Sequence, residues 1–164
     1  MTYEITIRFE KTVAELKEDF AAIPAHVARL NLFMNRLWKK TGAELKEVFE
    51  CIPKTVTELN LAENMLYKKT PAELAEAFAA IPANVTMLDL RDNELYRKTS
   101  AELKEALGAI PANVTSLSLE CELFQKTGAE LKEAFEGIPK TVTELNLSNN
   151  AFDFIPGTDL ALGL

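Results

Sequence analysis

Histidine occurs once in these 164 residues, tryptophan once and cysteine twice. His26, the lone histidine, rules out the Ser-His-acid and Cys-His pairings of nucleophilic catalysis anywhere else in the chain. It falls in a turn, opposite Thr55, Asn84, Asn113 and Thr141 of a recurring pattern. Two cysteines, Cys51 and Cys121, are too few for a disulfide framework. They occupy different positions of that pattern, so they are expected to be unpaired. Neither a cysteine-histidine metal cluster nor a phosphate-cradling glycine loop is present, and glycine occurs only six times. No apolar run approaches the roughly 18 residues of a membrane span. Met1 to Glu10 lacks the basic, apolar and small-residue zones of a signal peptide. Positive charge is also in deficit, with 18 Lys and Arg against 25 Asp and Glu and a net charge of -7. That balance argues against tracking nucleic-acid phosphates or adsorbing to anionic lipid.

What the chain does have is a repeat. Ile-Pro recurs at Ile23-Pro24, Ile52-Pro53, Ile81-Pro82, Ile110-Pro111 and Ile138-Pro139, at spacings of 29, 29, 29 and 28. The first half of each unit reads Val56-x-x-Leu59-x-Leu61-x-x-Asn64-x-Leu66. Its counterparts begin at Val27, Val85, Val114 and Val142. Leu-x-Leu alternation has the two-residue period of a short strand buried on one face. Tyr3 to Phe9 is expected to add an N-terminal strand, with Ile5 and Ile7 inward. The asparagines Asn35, Asn64, Asn93 and Asn150 stand where the chain leaves the strand, and a buried amide there can satisfy loop N–H and C=O groups. In the fourth motif Cys121 takes that place, and a deletion just before it accounts for the short spacing.

The second half of each unit is helical. Thr70-x-x-Glu73 is a capping box, with Pro71 at the first helical position. The box recurs at Thr12/Glu15, Thr41/Glu44, Thr99/Glu102 and Thr127/Glu130. Leu74, Ala77, Phe78 and Ile81 mark one apolar face, and the following proline ends the helix. Lys11, Lys40, Lys69, Lys98 and Lys126 precede the threonines. Their stems are expected to cover the aromatic series Trp38, Tyr67, Tyr96 and Phe124 while the ammoniums reach solvent.

No such unit buries its apolar faces alone; neighbours must stack. Residues 1–164 therefore read as one domain. It holds a partial repeat at 1–22, full repeats at 23–51, 52–80, 81–109 and 110–137, and an incomplete one at 138–164. Strands about 4.8 Å apart and helices about 8 to 10 Å apart force the stack to curve. The expected α/β architecture is a right-handed solenoid, a short horseshoe with a parallel β-sheet on the concave face and α-helices on the convex face.

These features resemble leucine-rich repeats of the ribonuclease-inhibitor-like type, over nearly the whole chain. Phrases such as IPANVTSLSL and KTGAELKEAF are further similar to bacterial leucine-rich-repeat effectors of the Legionella type. The resemblance implies protein binding, with no active site to transfer. It also implies residence in the cytoplasm, or delivery to a host cytoplasm without a conventional signal peptide. The chain departs from the ribonuclease-inhibitor pattern by placing Trp38, Tyr67, Tyr96 and Phe124 where glycine is common.

Residues alternating with the buried leucines should face a partner. The candidate binding set is Arg29, Phe33, Met34, Arg36, Glu58, Glu63, Met65, Asp89, Asp92, Glu94, Glu120 and Glu122. Arg91, Glu144 and Met87 belong to the same wall. Acids outnumber arginines on it, so a protein with a basic surface is the expected partner. Self-association through the C-terminal edge is the alternative, since DFIPGTDLALGL does not restore the helix unit. A cation-dependent enzyme using Asp92, Glu94, Glu120 and Glu122 is the remote one. No cofactor is expected.

Overall fold

The computed structural model describes residues 2–4 and 11–152. Six strands form one parallel sheet in sequence order: β1 (Thr2–Glu4), β2 (Arg29–Asn31), β3 (Glu58–Asn60), β4 (Met87–Asp89), β5 (Ser116–Ser118) and β6 (Glu144–Asn146). Five helices alternate with them: α1 (Val13–Ala21), α2 (Gly42–Phe49), α3 (Pro71–Ala79), α4 (Ser100–Gly108) and α5 (Gly128–Phe135). The solenoid is right-handed, with sheet and helices on opposite faces. The N-terminal strand lies at Thr2–Glu4, with Tyr3 opposite Leu30. Ile5 and Ile7 lie outside the described residues, as do the C-terminal residues 153–164.

Register follows the period. Leu30, Leu59, Leu88, Leu117 and Leu145 stand side by side across five strands. With Leu32, Leu61, Leu90 and Leu119 they turn toward the helices, and those of the first four motifs are buried. Val27, Val56, Val85 and Val114 close one end of this core, and Leu37, Leu66, Leu95 and Leu123 the other. From the helices come Phe20, Phe49, Phe78 and Leu107, each at most 1% exposed. Each such side chain contributes about 1.5–3 kcal/mol by leaving water. Because every contact is made with the next unit, this stabilisation exists only in the stack.

Each helix starts where the sequence says. All five threonines accept from the backbone N–H three residues on, and all five glutamates accept in return from the cap N–H, at 2.7 to 2.9 Å. Those backbone bonds hold Glu15, Glu73, Glu102 and Glu130 below the usual carboxylate range.

The loops leaving the strands are joined by amides. Asn64 Oδ1 accepts from the N–H of Asn35 at 2.8 Å and of Leu37 at 3.4 Å, both in the preceding unit. Its Nδ2 donates to the carbonyls of Leu32, Leu61 and Ala62 at 2.8 to 3.0 Å. Asn93 serves Asn64 and Leu66 in the same way. The residues either side of each asparagine are left-handed without being glycine: Met34 and Arg36, Glu63 and Met65, Asp92 and Glu94, Asn149 and Ala151. Such backbone costs of order 1 kcal/mol per residue and persists only where neighbours fix it. Here the amide does so. One-turn 3₁₀ helices follow at Leu37–Lys39, Leu66–Lys68 and Leu95–Arg97.

Two substitutions separate these devices. Thr70→Ala removes one cap and should cost about 1 kcal/mol. Asn64→Ala strands buried groups in two loops and should cost about 3 kcal/mol or more. Denaturant unfolding of the two variants checks the order; an Asn64→Ala protein as stable as Thr70→Ala would contradict it.

Candidate protein-binding face

The concave wall is a ladder of outward columns. Arg29, Glu58, Met87, Ser116 and Glu144 stand in register across five strands, and Asn31, Asn60, Asp89, Ser118 and Asn146 beside them. A shallow groove of about 430 Å³ runs over β2 to β6, floored by these columns without Glu144 and by Arg91 and Glu120. Asn31, Asn60, Asp89 and Asn146 each accept the N–H two residues on, at 2.8 to 3.1 Å. The strand ends are thus capped by the wall itself.

Most wall acids are already answered. Arg29 Nε lies 2.7 Å from Glu58 Oε2, and Arg91 Nε 3.4 Å from Asp89 Oδ2. Arg97 Nη2 lies 2.6 Å from Glu94 Oε2. Glu120 accepts from Asn149 at 2.6 Å and from Asn146 at 3.4 Å. Pairs this exposed contribute little to stability. Glu63 and Glu144 stand in solvent with no ion-pair partner among the described residues. Asp92, also exposed, lies beside the Cys121 thiol. Burial, with Asp92 adding to it, pushes that thiol up to about 11, so it is not a reactive thiolate.

Met34, Met65 and Met87 are 60%, 42% and 43% exposed. Met34 and Met65 sit on the left-handed rim past the strand ends, and Met87 at the start of β4. Phe33 is half-buried, and Arg36 is exposed on the rim. Ala62, which the alternation would also display, is fully buried. Its single methyl group lies between the longer Phe33 and Arg91 in its column.

Glu122 is not on the wall. It is fully buried, and its two oxygens accept from the backbone N–H groups of Asn93 and of Leu95, the latter at 2.6 Å. These are the groups that an asparagine amide serves in the other units. Glu122, not Cys121, therefore occupies the asparagine place, and Cys121 is the left-handed residue before it, with φ 60°. The deletion follows Glu122 instead of preceding Cys121. It removes the counterpart of Glu94, and no 3₁₀ turn forms after β5. Counting 29 residues on from β4 finds this; counting back from Leu123 does not. The strand count wins because the ladder fixes register from the sheet. No group of three or more His, Cys, Asp and Glu among the described residues is arranged to hold a metal ion.

The lysines before the caps also differ from expectation. Lys40, Lys69, Lys98 and Lys126 are at most 7% exposed. Lys40 Nζ donates to the carbonyl of Lys11 at 2.5 Å, Lys69 to that of Lys40, Lys98 to that of Lys69 at 2.5 Å, and Lys126 to that of Lys98 at 2.7 Å. A column of ammoniums thus threads the stack, each on the unit before it. Burial pushes Lys69, Lys98 and Lys126 below their usual range, with the capping glutamates opposing. Carbonyls stacked in line hold the heads in more firmly than solvent draws them out. The cations over the aromatics come from other residues. Lys68 Nζ lies 3.9 Å from the Trp38 ring centre and the Arg97 guanidinium 4.5 Å from that of Tyr67, while Tyr96 and Phe124 stack at 4.0 Å.

Superposition on solved structures decides the family. Over 99% of this chain and 50% of the other, the fold is similar to the leucine-rich repeat-containing protein LegL7 from Legionella pneumophila, with a TM-score of 0.91 and 37% identity. The chain is a leucine-rich-repeat protein. This leucine-rich-repeat chain spans half the length of LegL7. The tropomodulin C-terminal domain of Caenorhabditis elegans shares only the fold, with a TM-score of 0.55 and 10% identity over 93% of this chain and 89% of that one. No protein-family model and no curated protein matches the chain. No helix among the described residues is long and apolar enough to cross a membrane.

The lysine column generates a measurable contrast. Lys98→Ala leaves the Lys69 carbonyl without its donor and should cost about 1–3 kcal/mol. Lys54→Ala, at an exposed turn, should stay within about 0.5 kcal/mol of the parent. Equal unfolding midpoints for the two variants would contradict the buried column.

Proposed function

We propose that this chain is a protein-binding scaffold of the bacterial-effector kind, and that its concave face takes a partner with a basic surface. One observation carries the reading. The buried positions repeat almost unchanged from unit to unit, while one column over the groove changes at every step, from Arg29 to Glu58 to Met87 to Ser116. A wall with only a structural task has no need of that variety. The similarity to LegL7 supports the same class of role.

The groove floor, where Arg29, Glu58, Asp89 and Glu120 are held in defined geometry, supplies register. The rim supplies charge and apolar contact through Glu63, Asp92 and Glu94 beside Met34, Met65 and Arg36. Partner attraction then rests most on Glu63 and Asp92, exposed acids with no ion-pair partner among the described residues, and falls as salt rises. The triple change Glu63→Gln, Asp92→Asn, Glu94→Gln should lower capture of the partner by about tenfold or more at low salt. A helix-face control, Glu105→Gln with Glu133→Gln, should leave capture intact. Capture equal for wall variant and parent, at low and high salt, would remove the acidic-wall reading.

Self-association is a second reading, favoured by the last unit. Val142, Leu145 and Leu147 are half-buried, where their counterparts in the earlier units are at most 2% exposed. Among the described residues β6 pairs only with β5. Apolar positions beside a free sheet edge invite a second copy. Solution mass over a concentration series should then rise from monomer toward dimer; a monomer at every concentration would exclude it.

A further inference from the structure

One buried acid plays no part in the binding reading. Glu122 replaces an amide that elsewhere both accepts and donates. The other units have Nδ2 groups on their loop carbonyls, as Asn93 has on Leu90 at 2.7 Å and Asn150 on Leu119 at 2.9 Å. Those two carbonyls flank Glu122, and both already have these donors. An ionised Glu122 therefore leaves no carbonyl unanswered, and both its oxygens serve N–H groups. A protonated Glu122 must turn one oxygen into a donor, and one of the two N–H bonds weakens. The pair at stake, Asn93 and Leu95, brackets Glu94 and follows Asp92. We propose that Glu122 is a proton-operated clasp on the loop Asp92–Leu95, so that the acidic rim of the third unit is set differently above and below neutral pH.

The surroundings place the transition in that range. Asp92 and Glu94 face the carboxyl from the third loop, and Glu120 and Cys121 come from its own loop. The fifth loop brings Ser148, Asn149 and Asn150, which do not titrate. Among these groups Glu94 carries its own cation, the Arg97 guanidinium at 2.6 Å. Burial is the main force against the charge, the two neighbouring acids add to it, and the two N–H bonds oppose it; together they push Glu122 up to about 8. The folded group is raised above its ordinary value of 4.5. Between about 4.5 and about 8 the folded protein therefore holds a proton that the unfolded chain has released. Stability falls as pH rises through that window. The one-residue deletion after Glu122 matters here, because it takes away the residue and the 3₁₀ turn that follow the asparagine in the first three full motifs.

The test uses the free protein, by proton–nitrogen NMR from pH 5 to 9.5. The amide protons of Asn93 and Leu95 should move downfield together as the carboxylate forms, with a midpoint between pH 7 and 9. Those of Asn64 and Leu66, which lie on the Asn93 amide, should not move. Glu122→Asn restores the amide of the other units. It should remove the step and flatten the fall in melting temperature between pH 5.5 and 8.5. A midpoint below pH 5.5, or a step that survives in Glu122→Asn, would overturn the clasp. Should that variant not fold, the titration of the parent decides alone. The consequence for partner capture rests on the binding reading above. A clasp that titrates as described beside capture that ignores pH would sink that consequence and leave the clasp standing.

Discussion

One buried polar side chain per full motif, an amide in all but the fourth, holds the structure in register. A strand of three residues cannot hold its neighbours by backbone bonds alone, because the chain turns away from the sheet almost at once and takes its polar groups inward. The asparagine satisfies donors of the preceding loop and carbonyls on both sides. Buried and fully bonded, such a group is costly to remove and hard to shift. The left-handed pairs follow from it, since a loop bent around one amide has no other conformation to take. So does the period: any change of length between strand and amide would separate donor from acceptor.

The core and the wall divide the work along the two-residue strand period. Inward leucines and valines serve only the next unit, so they repeat. Outward residues face solvent and are freer to vary, except where Asn31, Asn60, Asp89 and Asn146 cap the strand ends. Within the wall there is a second division. Arg29, Asp89, Arg91 and Glu120 sit over the sheet in fixed pairs, while Glu63, Met34 and Met65 stand on a bent rim. Rigid floor and projecting rim together present shape and charge on one scaffold.

Much of this was legible in the residues. Strand leucines, capping boxes, helix faces and parallel order all follow from periods of 2, 3.6 and 29, because each period has one physical cause. Three features were not. Lys69 looked like a solvated cation because charge normally seeks water; only the stacking of carbonyls from successive units gives it an inward partner. Ala62 looked exposed because alternation ignores the length of its neighbours. Glu122 looked like a wall acid because Cys121 fitted the pattern when counted from the wrong side of the deletion. Each miss involves a contact between units, which a pattern read within one unit cannot display. The mutual pairing of the outward residues, such as Arg97 with Glu94, depends on the loop geometry and not on spacing.

The side chains that bond to a neighbouring unit's backbone reach the same way. Asn64 serves the unit before it, Lys69 rests on that unit's carbonyl, and Asn84 and Asn113 donate to Val56 and Val85 behind them. The solenoid is thus polar along its length: a unit's own bonding is finished only by its successor. A chain emerging from the ribosome, amino end first, would be sealed behind the growing tip, one unit at a time. Damage to a single unit would loosen its predecessor more than its follower.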